Sequence, residues 1–186
     1  MVSAETDQQQ SSEQDETESP NEADPESSVS SGETTQEPDA TADLTTGQKN
    51  ALASAAAYLN YTAFSYNGLI GQLEYEGFTH EEAVYAVDNC GADWNEQALE
   101  CAKNYLDYTA FSYTGLIDQL EYEEFTAEQA KYGADNCGAD WNEQAAKCAK
   151  NYLDYTSFSR DSLIDQLEYE GFTHDQAVYG AQQNGY

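Results

Sequence analysis

Cys90-Gly-Ala-Asp-Trp94-Asn-Glu-Gln-Ala98 recurs unchanged as Cys137-Gly-Ala-Asp-Trp141-Asn-Glu-Gln-Ala145. The copies lie 47 residues apart and the flanking sequence repeats at the same interval, so each copy stands at a joint between one repeat and the next. A second cysteine, Cys101 or Cys148, follows eleven residues after the first. Shifting the sequence by one period shows what replaces these residues where no neighbouring repeat exists. Cys101 and Cys148 align with Ser54, Cys90 and Cys137 with Asn184, and Trp94 with Gly47. A cysteine therefore occurs only where its partner position also exists. The pattern predicts disulfides Cys90–Cys101 and Cys137–Cys148, tying the last helix of one repeat to the first helix of the next. An even cysteine count in an extracellular chain agrees with this. Reduced structural thiols are one competing reading and a four-cysteine zinc site is another, although CxxC spacing is absent.

Working outward from the joints, Asp93 and Asp140 read as N-caps, each followed three residues later by Glu96 or Glu143 in a capping-box arrangement. In the first repeat Thr46 takes the cap position, with Ala51, Leu52, Ala55, Tyr58 and Leu59 on one helical face. The opening helices are thus expected over 46–60, 93–107 and 140–154. Ser65, Ser112 and Ser159 cap a second, shorter helix whose apolar stripe is Leu69/Ile70/Leu73, Leu116/Ile117/Leu120 or Leu163/Ile164/Leu167. A turn follows, with Gly77 and Gly171 suited to a left-handed C-cap. Glu124 takes that place in the middle repeat, which predicts a strained or differently closed turn there. Thr79/Glu82, Thr126/Gln129 and Thr173/Gln176 form capping boxes for a third helix ending at Gly91, Gly138 or Gly185. No segment shows strand alternation. The fold class is all-α: a linear array of three repeats of three helices, over 46–91, 92–138 and 139–186, with Trp94 and Trp141 packing at the joints.

Residues 1–45 differ in kind. They hold thirteen of the 36 acidic residues, all three prolines and no Lys or Arg. Such a composition cannot bury enough apolar surface to offset its ordering entropy, so a disordered acidic tether is expected. With six basic residues in the chain, the net charge is −30. That charge repels phosphate backbones and anionic bilayers, which excludes DNA and RNA as partners and leaves a basic protein segment as the favoured one. The start Met-Val-Ser-Ala-Glu has no apolar h-region. The chain reads as either a mature exported protein with an added initiator Met or a cytosolic one, and the paired cysteines favour export.

The run Tyr-Leu-x-x-x-x-Phe-Ser-x-x-x-Leu-Ile-x-Gln-Leu-Glu-Tyr-Glu-x-Phe-Thr, joined by Asp-Trp-Asn-Glu-Gln-Ala, resembles the Ltp-like helix-turn-helix repeat of the host cell surface-exposed lipoprotein family. The resemblance covers about residues 48–186, three copies. It implies a monomeric, non-catalytic module on the outer face of a Gram-positive bacterium, held by an N-terminal lipid anchor, often of phage or prophage origin. It further implies superinfection exclusion, in which injection of phage DNA is blocked by binding the tape-measure protein. The lipobox cysteine is missing from this chain, and the joint cysteines are additions to the family's plain helical linker. The alternative reading is a structural or adhesive spacer of the cell wall with no phage role.

No cofactor, metal or catalytic centre is expected. His80 and His174 open third helices where the middle repeat has Ala127, and a catalytic base would not come and go in this way. The stretch from Asp88 to Glu96 is acidic but lacks the spacing of a calcium loop. What remains is a surface repeated three times on the second helix: Gln72, Glu74, Tyr75 and Glu76; Gln119, Glu121, Tyr122 and Glu123; Gln166, Glu168, Tyr169 and Glu170. A tyrosine flanked by carboxylates at regular intervals suits multivalent binding of a basic, extended partner. The competing reading is that these tyrosines pack at the rims of small cores.

Overall fold

The computed structural model describes residues 44–186. Among the described residues there are nine α-helices and no strand, in three consecutive sets. The first set is α1 (Thr46–Tyr61), α2 (Tyr66–Tyr75) and α3 (His80–Asn89). The second is α4 (Trp94–Tyr108), α5 (Tyr113–Tyr122) and α6 (Ala127–Asn136). The third is α7 (Trp141–Tyr155), α8 (Arg160–Tyr169) and α9 (His174–Gln183). Positions 1–43 of the expected tether lie outside the described residues.

Helix starts follow the sequence with two corrections. Thr45, not Thr46, caps α1: its Oγ1 accepts from the Gln48 amide at 3.1 Å and its own amide donates to Gln48 Oε1 at 3.0 Å. Asp93 and Asp140 do cap α4 and α7, but the reciprocal half of the box is not made. Glu96 Oε1 instead accepts from Tyr132 OH at 2.9 Å and Glu143 Oε1 from Tyr179 OH at 3.1 Å. A phenol on the third helix outcompetes the cap amide, so these carboxylates tie first helix to third. Ser65, Ser112 and Ser159 cap the second helices, and the three threonine boxes close both ways.

Between second and third helix the chain closes identically in every repeat. The amides of Phe78, Phe125 and Phe172 donate to the carbonyls of Leu73, Leu120 and Leu167 at 3.2, 3.1 and 3.1 Å. This closure needs a left-handed residue, supplied by Gly77 at φ 99°, Gly171 at φ 89° and Glu124 at φ 66°. The middle turn is thus strained, not differently closed.

Each repeat buries its own small core. In the first, Leu69, Ile70 and Leu73 meet Ala51, Ala55 and Ala83; equivalent clusters fill the other two. Small residues let the first and third helices approach closely. At Gly133 and Gly180 an added Cβ would lie 2.7 Å from the carbonyl oxygens of Ala98 and Ala145.

At the joints the indoles cross the boundary. Trp94, the first residue of α4, packs against the core of the first repeat and stands edge-on to Tyr66, with ring centroids 5.5 Å apart. Trp141 does the same on the second core and Tyr113. Otherwise the joints are thin: among the described residues no helix of one repeat packs extensively along a helix of another. The first joint adds a bond from the Phe64 amide to Gln97 Oε1 at 3.2 Å. In the second joint Ser112 Oγ donates to the Glu170 carbonyl at 2.5 Å and Thr114 Oγ1 to the Gly171 carbonyl at 3.2 Å.

The predicted disulfides Cys90–Cys101 and Cys137–Cys148 do not form; all four cysteines are free. Each member of a pair belongs to a different core. Cys90 and Cys137 are C-caps of α3 and α6, packed on the first and second cores, with Sγ donating to the carbonyls of Val87 and Ala134 at 3.1 and 3.2 Å. Cys101 and Cys148 lie seven residues into the next helix, about 10 Å beyond its tryptophan along the axis, on the second and third cores. Each lines a groove whose other wall is the loop after the first helix of the preceding repeat. The alignment that linked their presence to a neighbouring repeat therefore reports a groove shared with that neighbour, not a bond to it. Ser54 lines a hollow to which no other repeat contributes.

Candidate functional site

The first and second helices of every repeat end on a tyrosine: Tyr61 and Tyr75, Tyr108 and Tyr122, Tyr155 and Tyr169. These six side chains are 81% to 91% exposed. Exposed rings at fixed intervals provide contact area with few rotatable bonds to freeze on binding. Tyr75, Tyr122 and Tyr169 therefore do not pack at core rims.

Their neighbours divide into two groups. Gln72, Gln119 and Gln166 turn partly inward, each donating through Nε2 to a phenol on the first helix, Tyr58, Tyr105 or Tyr152, at 3.1 Å. Glu76 and Glu123 accept from the hydroxyls of Tyr58 and Tyr105, and Glu170 Oε1 accepts from Tyr152 OH at 2.5 Å. These three carboxylates thus fasten the second helix to the first. Burial, followed by the carboxylate hydrogen bond, pushes Tyr105 and Tyr152 up to about 12. Glu74, Tyr75, Glu121, Tyr122, Glu168 and Tyr169 stay on the open face. On it Glu74 meets His80 Nδ1 at 2.7 Å and Glu168 meets His174 Nδ1 at 2.6 Å, whereas Glu121 faces Ala127 and lacks that pairing.

A second feature escapes the sequence. Beside each phenol–carboxylate pair lies a groove, and its lining repeats with the period. The one on the first repeat holds about 250 Å³ over Ser54, Ala57, Tyr58, Tyr61 and Glu76. At the first joint the equivalents Cys101, Asn104, Tyr105, Tyr108 and Glu123 are walled by Thr62 and Ala63 of the preceding repeat, enclosing about 260 Å³. At the second joint Tyr108, Thr109 and Ala110 form the wall opposite Cys148, Asn151, Tyr152, Tyr155 and Glu170, and the groove reaches about 590 Å³. Tyr108 lines both joint grooves. The signal in the sequence was the tyrosine pair three residues apart at the end of each first helix, Tyr58/Tyr61, Tyr105/Tyr108 and Tyr152/Tyr155: one turns to the core, the other to solvent.

The grooves favour binding over covalent chemistry. Burial, reinforced by Glu123 and Glu100, pushes the Cys101 thiol up to about 12, and burial with Glu170 does the same for Cys148. Such thiols stay protonated at neutral pH and are poor nucleophiles. Among the described residues no three or more His, Cys, Asp or Glu side chains are gathered to hold a metal ion. No described helix is long and apolar enough to cross a membrane.

The family model described as host cell surface-exposed lipoprotein matches three stretches, residues 46–90, 93–137 and 140–183. A search of curated proteins found no match. Among solved structures, the chain is similar to that of Ltp, a superinfection exclusion protein from the Streptococcus thermophilus temperate phage TP-J34. Identity is 33% and the TM-score 0.49, over 50% of this chain and 98% of that one.

Proposed function

The chain belongs to the host cell surface-exposed lipoprotein family, and from this we propose that it is a non-catalytic binding module that excludes superinfecting phage. Displayed on the outer face of a Gram-positive cell by a lipid anchor beyond the acidic segment 1–45, it acts as a monomer. It captures a basic, extended segment of the incoming phage's tape-measure protein and so blocks DNA entry. The observation that carries this reading is the regular series of exposed tyrosines beside carboxylates, on a chain of net charge −30. Tyrosine supplies contact area, and the charge steers a cationic partner from a distance. Copies in tandem raise the effective concentration for every contact after the first, so modest individual affinities add up to firm capture.

The test is display of the chain on a phage-sensitive Gram-positive host, with adsorption and DNA entry scored separately. Normal adsorption with blocked entry is the expected outcome. Unimpaired entry across a broad phage panel would favour a wall-associated spacer instead.

A further inference from the structure

The two joint grooves exist only where repeats meet. Thr62 and Ala63 wall the first and Tyr108, Thr109 and Ala110 the second, whereas the corresponding hollow on the first repeat, with Ser54 and Ala57 in place of the cysteine and asparagine, has no wall from a preceding repeat. The geometry points to these two grooves, not to the ridge of Tyr75, Tyr122 and Tyr169, as the places where a partner is gripped, each taking one lysine side chain of an extended basic segment. The inference rests on the proposed function for its basic protein partner and adds the location, the residues and the side chain recognised.

A lysine side chain is an apolar stem ending in a compact charge. The second groove offers surfaces for both. The exposed rings of Tyr108 and Tyr155 and the methyl of Ala110 line it for the stem, and Glu170 lies in its lining for the ammonium. The carboxylates select lysine over arginine. Glu170 Oε1 already accepts from Tyr152 OH at 2.5 Å and from Gln166 Nε2 at 3.1 Å, and Glu123 Oε1 accepts from Tyr105 OH and from Gln119 Nε2 at 3.2 Å. One oxygen of each is left, which suits a point-charge donor and denies a guanidinium its two-pronged contact. Asp154, the other acid in the second groove, is held by Lys150 Nζ at 2.7 and 2.9 Å. On the ridge, Glu74 and Glu168 are likewise engaged, by His80 and His174. Because a groove walled on both sides needs two repeats, an array has one such grip fewer than it has repeats.

The experiment is calorimetric titration of the full chain, at physiological ionic strength, with a synthetic peptide of alternating lysine and alanine and with its arginine counterpart. Tyr108→Ala removes an exposed ring shared by both grooves and leaves the net charge unchanged. It is expected to weaken lysine-peptide binding about tenfold or more, against less than about twofold for Tyr122→Ala. The lysine peptide is expected to bind more tightly than the arginine peptide. Thermal melting confirms that both variants fold. Equal losses in the two variants, undiminished binding by Tyr108→Ala, a tighter arginine peptide, or no binding by the wild type would each overturn the proposal. Phage entry separates this result from the broader function. Exclusion lost in Tyr122→Ala and kept in Tyr108→Ala overturns the grooves and leaves the phage role standing. Peptide binding that depends on Tyr108, in a chain that does not block entry, supports the grooves and removes the phage role.

Discussion

Glu124 holds the left-handed backbone that glycine holds in the other two repeats, at φ 66°, and makes the same turn hydrogen bond. A side chain in that region costs about 1–2 kcal/mol, partly offset by the larger unfolded-state freedom of glycine. Glu124→Gly is therefore expected to stabilise the protein by about 0.5–1 kcal/mol, seen as a higher urea midpoint at unchanged slope. This strain was legible because the residue breaks a pattern kept on both sides. The cysteines were legible only in part: an alignment shows that a residue depends on a neighbour, not whether the neighbour bonds to it or shares a groove with it. Four thiols should be counted in the denatured chain without reductant. In the folded protein at mildly alkaline pH, Cys101 and Cys148, pushed up to about 12, should be alkylated about a hundredfold or more slowly than after unfolding.

Among the elements, the helices were readable almost residue by residue, because caps and apolar periodicity agree in every repeat. Side-chain reach was less so. Gln72 sits beside Leu73 on a face assigned to solvent, yet its amide swings to the phenol of Tyr58. Periodicity gives the direction in which a side chain leaves the helix, not where a long one ends. The joints differ at this scale too. Ser65 and Ser112 both cap a second helix and both are 2% exposed, but Ser112 also donates to the Glu170 carbonyl across the second joint. Ser112→Ala should therefore destabilise the protein more than Ser65→Ala, by about 1 kcal/mol, the net worth of one hydrogen bond. Paired denaturation curves measure the difference.

For the whole molecule, charge and the hydrogen-bonded tyrosines, Tyr105 and Tyr152 most of all, set the response to solvent. Binding of a basic segment should weaken at least about tenfold between low and high salt, mainly through slower association, measurable by stopped-flow mixing. Tyr105 and Tyr152 have folded pKa values above the ordinary value of 10, so their contribution to stability is complete below pH 10 and is lost as pH rises towards about 12. Melts across that window should show a decline that Tyr105→Phe and Tyr152→Phe reduce. The period of 47 residues made the array legible at this scale, whereas the grooves were not, since they arise from two stretches that never adjoin in any one repeat. The same overlap governs Trp94 and Trp141, which start the helix of one repeat and complete the core of the one before. Modules so dovetailed have no clean seam. The middle repeat, excised at its sequence limits, would carry away the first repeat's Trp94 and leave its own core without Trp141. Lengthening the protein is simpler: one or more whole periods inserted at a joint bring their own tryptophans and leave every existing core filled.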